Sequence, residues 1–309
     1  MKKISIITPA YNEVENITEW LNCVKVVISQ FRNYEFEIIV IDNASTDGTQ
    51  DQLRRLAQEE SILKVILNAR NFGPIRSHFH GFLQGSGDAV ICLAADLQDP
   101  PELIPQMIEG WEQGAKAVVA IKDTSEESQA FFNIRKLYYR VVDRLADIQT
   151  IQNFTGFGLY DRAIVDYCRS INDPYPYFRG LISEIGLPIK KISFHQPVRK
   201  RGFSNCNWYV LYDVAMLGIT NFSKVPLRLA AMLGFATAFM SLIVAFCYLI
   251  YKLVFWKSFP LGTAPLVIGL FFFSSIQLSF IGILGEYIGA IHTQVLNRPL
   301  VVEKERINF

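Results

Sequence analysis

Asp96, Gln98 and Asp99 share one short segment, Ile91-Cys92-Leu93-Ala94-Ala95-Asp96-Leu97-Gln98-Asp99-Pro100-Pro101. Carboxylate and amide oxygens offered from one loop are hard ligands. They suit Mg2+ or Mn2+, best when substrate phosphates complete the shell. The apolar residues 89–93 read as a buried strand, which the double proline ends. The acidic loop therefore sits at the carboxyl end of a strand, where open α/β sheets bind ligands. A structural reading competes with this: Asp99 caps a helix starting near Pro101, and Asp96 is a solvated charge. His78 and His80 make a second metal candidate. Their i,i+2 spacing does not fit a helical site and no cysteine stands near, so they read as structural or polar contacts.

The elements that must position this loop follow from periodicity. Residues 3–8 form a strand ending at Pro9, and Asn12 is placed to cap a helix over 14–31. Ile17, Trp20, Leu21, Val24, Val27, Ile28 and Phe31 share one face of that helix. A strand over 36–41 leads into the polar turn Asp42-Asn43-Ala44-Ser45-Thr46-Asp47-Gly48-Thr49. A helix to about 58, a strand over 63–67, the turn at 68–73 and a helix through Gly81 bring the chain to strand 89–93. Beyond it come a helix to about 113, a strand over 115–121, a long helix over 126–146 and strand-like runs at 154–160 and 192–198. Arg135 and Arg140 lie on the long helix, and Arg199-Lys200-Arg201-Gly202 is a compact cationic patch. Strands alternating with helices through short crossovers imply a parallel sheet wound right-handedly. The loops at 9–13, 42–49 and 70–73 then converge on the side holding Asp96. No GxGxxG follows the first strand, and Gly85-Ser86-Gly87 precedes a strand rather than following one, which argues against dinucleotide binding.

The formal net charge of +1 over 309 residues argues against nucleic acid as a partner. Half the residues are hydrophobic, and the excess is concentrated in the last third. Residues 229–251 and 258–285 contain no Asp, Glu, Lys, Arg or His. Each stretch exceeds the ~20 residues needed to cross a bilayer core. The pair reads as a transmembrane hairpin. Lys224 and Arg228 flank it before, Arg298, Lys304 and Arg306 after, against Lys252 and Lys257 at the connecting loop. That balance puts both termini and the N-terminal domain in the cytoplasm of a multi-pass protein of the inner (plasma) membrane. Trp208, Leu211, Tyr212, Ala215, Ile219 and Phe222 recur at helical spacing and suit a helix lying in the interface. The start, Met1-Lys2-Lys3 with a short apolar run stopped by Pro9, is too short for a signal peptide. Five cysteines without CxxC spacing fit reduced thiols. The expected organisation is a catalytic domain over 1–203, an interfacial region over 204–226, two membrane helices within 227–291 (about 229–252 and 263–287) and a cytoplasmic tail over 292–309.

Five stretches together resemble the family-2 glycosyltransferases, and more narrowly the membrane-anchored bacterial polyisoprenyl-phosphate glycosyltransferases. They are Thr8-Pro9-Ala10-Tyr11-Asn12-Glu13, residues 42–49, Arg70-Asn71-Phe72-Gly73, residues 95–102 and residues 199–204. The resemblance implies a GT-A catalytic domain, Rossmann-like with a mostly parallel sheet, carrying a two-helix membrane hairpin. It implies that Pro9, Tyr11, Glu13, Asp42, Asn43, Arg70, Asn71, Gly73 and Ala95 bind the nucleotide sugar. Asp96 and Gln98 hold Mg2+ or Mn2+ on the diphosphate, and the branch points to a homo-oligomer. Two departures stand out: Ala94 where the family commonly has Asp, and Asn43 in place of the second Asp of a pair. The chain lacks the Gln-x-x-Arg-Trp signature of processive synthases, which favours a single transfer.

The implied reaction moves one hexose, glucose as the best guess, from a UDP-sugar to undecaprenyl or another polyprenyl phosphate, with inversion. A phosphate monoester has a second pKa near ~6, so it is already an anionic nucleophile at neutral pH. What the site must manage is repulsion. A divalent ion neutralises the leaving diphosphate, while Asp96 and the cations Arg135, Arg140, Arg199 and Arg201 complete the catalytic set. Two alternatives stay open: transfer to a hydroxyl acceptor, with Asp99 or Asp161 as base, and a non-catalytic scaffold that binds nucleotide sugar.

Overall fold

The computed structural model describes residues 1–122, 151–197, 208–255 and 263–309. Its centre is an eight-stranded sheet in the order β7-β5-β6-β4-β1-β2-β3-β8. The strands are β1 (Lys2–Ala10), β2 (Tyr34–Asp42), β3 (Leu63–Asn68), β4 (Ala89–Cys92), β5 (Ala117–Lys122), β6 (Phe154–Asp161), β7 (Ile189–Phe194) and β8 (Glu303–Ile307). β6 and β8 run antiparallel to their neighbours and the other strands run parallel. Near-continuous burial of β1 to β4 follows from helices covering both faces of the sheet.

On one face α1 (Ile17–Ile28), α2 (Thr49–Glu59) and α4 (Ile104–Glu112) meet Ile4, Ile6, Val40, Val65 and Ile91. On the other, α3 (Pro74–Gln84), α5 (Arg162–Ser170) and α6 (Phe178–Glu184) meet Ile7, Ile41, Ile66 and Cys92. The alternation within β1, Ile6 to one side and Ile7 to the other, sets this division. The result is the expected Rossmann-like architecture, a mostly parallel mixed sheet in three layers.

Several expectations change in detail. β1 continues through Pro9, because its pairing with β4 ends at Ile7–Cys92 and no neighbour there needs a proline N–H. Asn12 does not cap α1. Its backbone is left-handed, its Oδ1 accepts from Thr46 N (2.8 Å), and Asn16 precedes the helix. β5 does not pair with β4, because β6 inserts antiparallel between them. The helix expected over 126–146 and the cationic patch at 199–202 lie outside the described residues.

The apolar stretches become two long helices, α8 (Val225–Val254) and α9 (Thr263–Leu296), preceded by α7 (Trp208–Phe222). Segments Val225–Tyr248 and Gly269–Leu296 are long and apolar enough to cross a membrane, and 6% and 0% of them are buried. Helices so apolar and so exposed belong to a membrane-associated chain. α9 extends past the expected end at 287. Residues expected as a tail then return to the sheet, where β8 pairs with β3 and Arg54 meets Glu305 at 2.8 Å.

Candidate active site

The parallel strands deliver their carboxyl ends, Ala10, Asp42, Asn68, Cys92 and Lys122, to one edge. The first four loops there each contain at least one residue of positive φ: Asn12, Ala44 with Gly48, Gly73 and Leu97. Gly73 holds φ +85°, which a side chain would strain. Strained residues of this kind persist where surrounding contacts over-determine the backbone.

Those contacts are visible. Loop 9–13 is stitched to loop 42–49 by Asn12 N donating to Ser45 Oγ (2.8 Å), Glu13 N to Thr49 Oγ1 (3.0 Å) and Asn43 N to the Ala10 carbonyl (2.9 Å). Glu13 is buried and accepts from Asn16 Nδ2 at 2.7 Å. Asn43 ties the second loop to the third: Nδ2 donates to Asn71 Oδ1 (2.8 Å), and Oδ1 accepts from Phe72 N (2.9 Å). Asn71 Oδ1 also accepts from Gly73 N (2.8 Å). Asn43 and Asn71 are thus braces within the site. Asp42 differs. Its Oδ2 accepts from Ser45 N and Gln50 Nε2 (3.0 and 2.7 Å), but its buried Oδ1 has no partner. A buried bare acceptor is costly, and a ligand N–H or O–H at this point would satisfy it.

The loop after β4 is braced from within. Asp96 Oδ1 accepts from Gln98 N (3.1 Å), and Asp99 Oδ2 reaches back to accept from Ala94 N (2.9 Å). Asp99 therefore ties the loop to itself and does not cap the following helix. Burial pushes the Asp99 carboxyl up to about 7, the Ala94 N–H opposes this, and the nearby Asp96 charge adds to it. Pro9, Ala94, Asp96, Gln98 and Asp99 line a cavity of about 400 Å3. Ala95 instead faces the core beside Leu93.

The cavity is also lined by His78, read from the sequence as a structural or polar contact, and by residues with no motif to announce them: Thr155, Gly156, Tyr177, Phe178 and Arg179. His78 is held down to about 4 by burial and by the charge of Arg179, so it is neutral near pH 7. His80 makes its expected polar contact, Nε2 donating to Glu303 Oε1 at 2.6 Å. Arg179 was hidden because α6 is a short helix after the proline-broken run Asp173-Pro174-Tyr175-Pro176-Tyr177, where periodicity says little.

Arg70 stacks on Phe72, 4.1 Å from the ring centroid, and is exposed. Tyr11 is partly exposed on the first loop, next to strand β2 and the Asp42 turn. Arg135, Arg140, Arg199 and Arg201 lie outside the described residues, which continue up to Lys122 and Pro197 at this same edge. Asp161 is removed as a candidate base. It caps α5, pairs with Lys116 (3.1 Å) and sits opposite Ala89, at the far end of β4 from the cavity.

Among the described residues no group of three or more His, Cys, Asp or Glu side chains gathers as a metal cage. The donor set present is one carboxylate and one amide oxygen, Asp96 and Gln98, on a rigid turn. That set fits Mg2+ or Mn2+ when a diphosphate supplies further oxygens, the usual habit of Mg2+.

Residues 5–168 match the model of Glycosyl transferase family 2, and the chain belongs to that family; it is a glycosyltransferase. It is 32% identical over 304 residues to an SfII prophage-derived bactoprenol glucosyl transferase of Shigella flexneri, covering 98% of each chain. A prophage bactoprenol glucosyl transferase homolog of Escherichia coli K12 is 29% identical over 303 residues, again with 98% of each chain covered. Among solved structures, glucosyl-3-phosphoglycerate synthase of Mycobacterium tuberculosis is similar with a TM-score of 0.49 and 18% identity, over 71% of this chain and 76% of that one.

Proposed function

We propose that the chain transfers one glucosyl residue from UDP-glucose to the phosphate of a polyprenyl lipid at the cytoplasmic face of the membrane. Relatives matched end to end carry the name bactoprenol glucosyl transferase, which supports both the sugar and the lipid carrier. The observation that carries the reading is the segment 172–179, which joins the cavity to the apolar helices. Its end at Tyr177, Phe178 and Arg179 lines the cavity. Its beginning docks the helices: Asn172 donates to Asn297 Oδ1 (3.0 Å), Asp173 accepts from Gln294 (2.7 Å), and Tyr175 donates to Asp213 (2.6 Å). A catalytic cavity one short segment away from lipid-facing helices suits an acceptor that lives in the bilayer.

The residues divide the work by chemistry. Asp42 Oδ1 offers an acceptor for a base or ribose hydrogen, with Pro9, Tyr11, Glu13 and Arg70 around it. Asn43, Asn71 and Gly73 fix the loops, and Ala95 anchors the fourth loop in the core. Asp96 and Gln98 would hold a divalent ion, which lowers the charge of the departing diphosphate. Arg179, together with Arg135, Arg140, Arg199 and Arg201, supplies positive charge for two phosphate-bearing substrates that repel each other. The acceptor phosphate is its own nucleophile, so no base is required, and direct displacement inverts the anomeric centre. The membrane hairpin has both ends on the catalytic side, since β8 rejoins the sheet after α9. This supports cytoplasmic termini flanking two spans, with 1–203 as the catalytic part, 208–222 at the interface and self-association through the helices.

The reading is tested with purified full-length protein, labelled UDP-glucose, Mg2+ and undecaprenyl phosphate. Label should enter the lipid fraction, chelation should stop it, and Asp96→Ala should lower the rate by at least 10²–10³-fold while the protein stays folded. No lipid-linked label with any UDP-sugar, or full activity in the Asp96→Ala variant, contradicts it.

A further inference from the structure

Beside the end of α9 three arginines gather away from the cavity, and none of them lines it. Phe72 is the hub: the Arg70 guanidinium stands 4.1 Å and that of Arg76 5.3 Å from its ring centroid. Arg76 Nη2 donates to the Pro299 carbonyl (2.5 Å), which fixes it next to Arg298, and its buried Nε has no partner. Burial, then the charges of Arg70 and Arg298, hold the Arg76 guanidinium below its ordinary range. No carboxylate pairs with any of the three among the described residues. Guanidinium groups crowded without a counter-charge repel one another, and an anion seated among them relieves this.

The surroundings say which anion. On the last turns of α9, Ile288, Ile291 and Val295 stand at helical spacing with 62%, 60% and 77% of their surface exposed. An outward apolar stripe of this kind on a membrane helix faces lipid tails. Arg298 follows two positions after Leu296, where α9 ends. Cations just past the apolar end of a membrane helix sit at headgroup depth. Anionic headgroups carry a phosphate there, and guanidinium binds phosphate in a two-pronged geometry.

We infer that Arg76 and Arg298 hold the phosphate of an anionic bilayer phospholipid against the catalytic domain, with Arg70 left to the nucleotide side of Phe72. The site pins the β3–α3 corner to the headgroup layer and so fixes how the cavity faces the membrane. It is separate from the acceptor's site and does not depend on which sugar is transferred.

The test is native mass spectrometry of the full-length protein in neutral detergent, with phosphatidylglycerol, phosphatidylcholine, undecaprenyl phosphate and inorganic phosphate as separate probes. The wild type should retain phosphatidylglycerol over phosphatidylcholine. Arg298→Gln should lower that occupancy roughly fivefold, and Arg76→Gln/Arg298→Gln by about the square of that factor. Arg298→Lys should restore most of it, and UDP binding should be unchanged in each variant. Arg298 is exposed, so the single variant decides the matter even if the double variant does not fold. Equal retention of the two phospholipids, unchanged occupancy in Arg298→Gln, full displacement by inorganic phosphate, or adducts with undecaprenyl phosphate alone would each overturn the assignment.

Discussion

Asp99 shows how one side chain serves a site without a motif role. Its carboxylate holds Ala94 N and closes the loop that presents Asp96 and Gln98. The carboxyl's ordinary value is 3.8 and burial raises it to about 7. Between those values the folded protein holds a proton that the unfolded chain has lost, so stability contributed by this group falls as pH rises through that window. Asp99→Asn keeps an acceptor for Ala94 N and removes the titration. Denaturant unfolding of that variant across the same window should show a flatter pH dependence than wild type. An unaltered slope would mean that Asp99 does not titrate there. At this scale the sequence was legible for the placement of Asp96 and Gln98 on a strand-end loop, and both line the cavity. It was misleading where a side chain has two uses: Asn12 had the composition of a helix cap and is used as a loop tie. Arg179 had no local signal and His78 read only as a structural or polar contact, because only the folded chain brings α3 and α6 to one cavity.

The elements are held in register by a few polar pins as well as by apolar faces. Glu37 in β2 accepts from Ser5 of β1 (2.6 Å) and from Ser86 N before β4 (2.8 Å), and it pairs with Lys3 and Lys64 of β1 and β3 (2.9 Å each). Burial alone would raise this carboxyl, but these hydrogen bonds outweigh it and hold it below the ordinary 4.5. Its stabilising contribution is therefore present above that value and is lost as pH falls below it. Glu37→Gln leaves two lysines without their counter-charge and should cost about 3 kcal/mol. The thermal midpoint should drop by roughly 5–10 °C, and a drop under about 2 °C would show that the pin is dispensable.

α7 meets α6 of the catalytic domain at Gly180, where an added Cβ would clash with the Phe222 ring. Gly180→Val should force the helices off the 172–179 segment. Activity on a lipid acceptor should fall at least tenfold while UDP binding persists; parallel loss of both would instead mean general misfolding. Strands and helices up to β5 could be read from periodicity because local pattern and burial agree there. The insertion of β6 and the return of β8 could not, since antiparallel pairing across a long separation leaves no period in the chain.

At the scale of the whole molecule, the sheet and the helix pair share their boundary. The chain leaves the sheet domain through α7, runs through two exposed apolar helices and comes back to pair β8 with β3. Apolar length made the two long helices legible in the sequence. The docking of α9 onto residues 172–173 was not, because it rests on single amide contacts. The resulting geometry explains why a phosphate acceptor suits this enzyme. The cavity places the Asp96 and Asp99 carboxyls beside Arg179, and the proposed acceptor, a phosphate monoester with a second pKa near ~6, is already ionised at neutral pH. The central claim is that a lipid phosphate, not a hydroxyl, is the nucleophile. Its most direct test offers the purified full-length protein undecaprenyl phosphate and undecaprenol side by side, with the same labelled UDP-glucose and Mg2+. Label on the phosphate lipid with none above background on the alcohol is the predicted result; transfer to undecaprenol at a comparable rate would contradict the account.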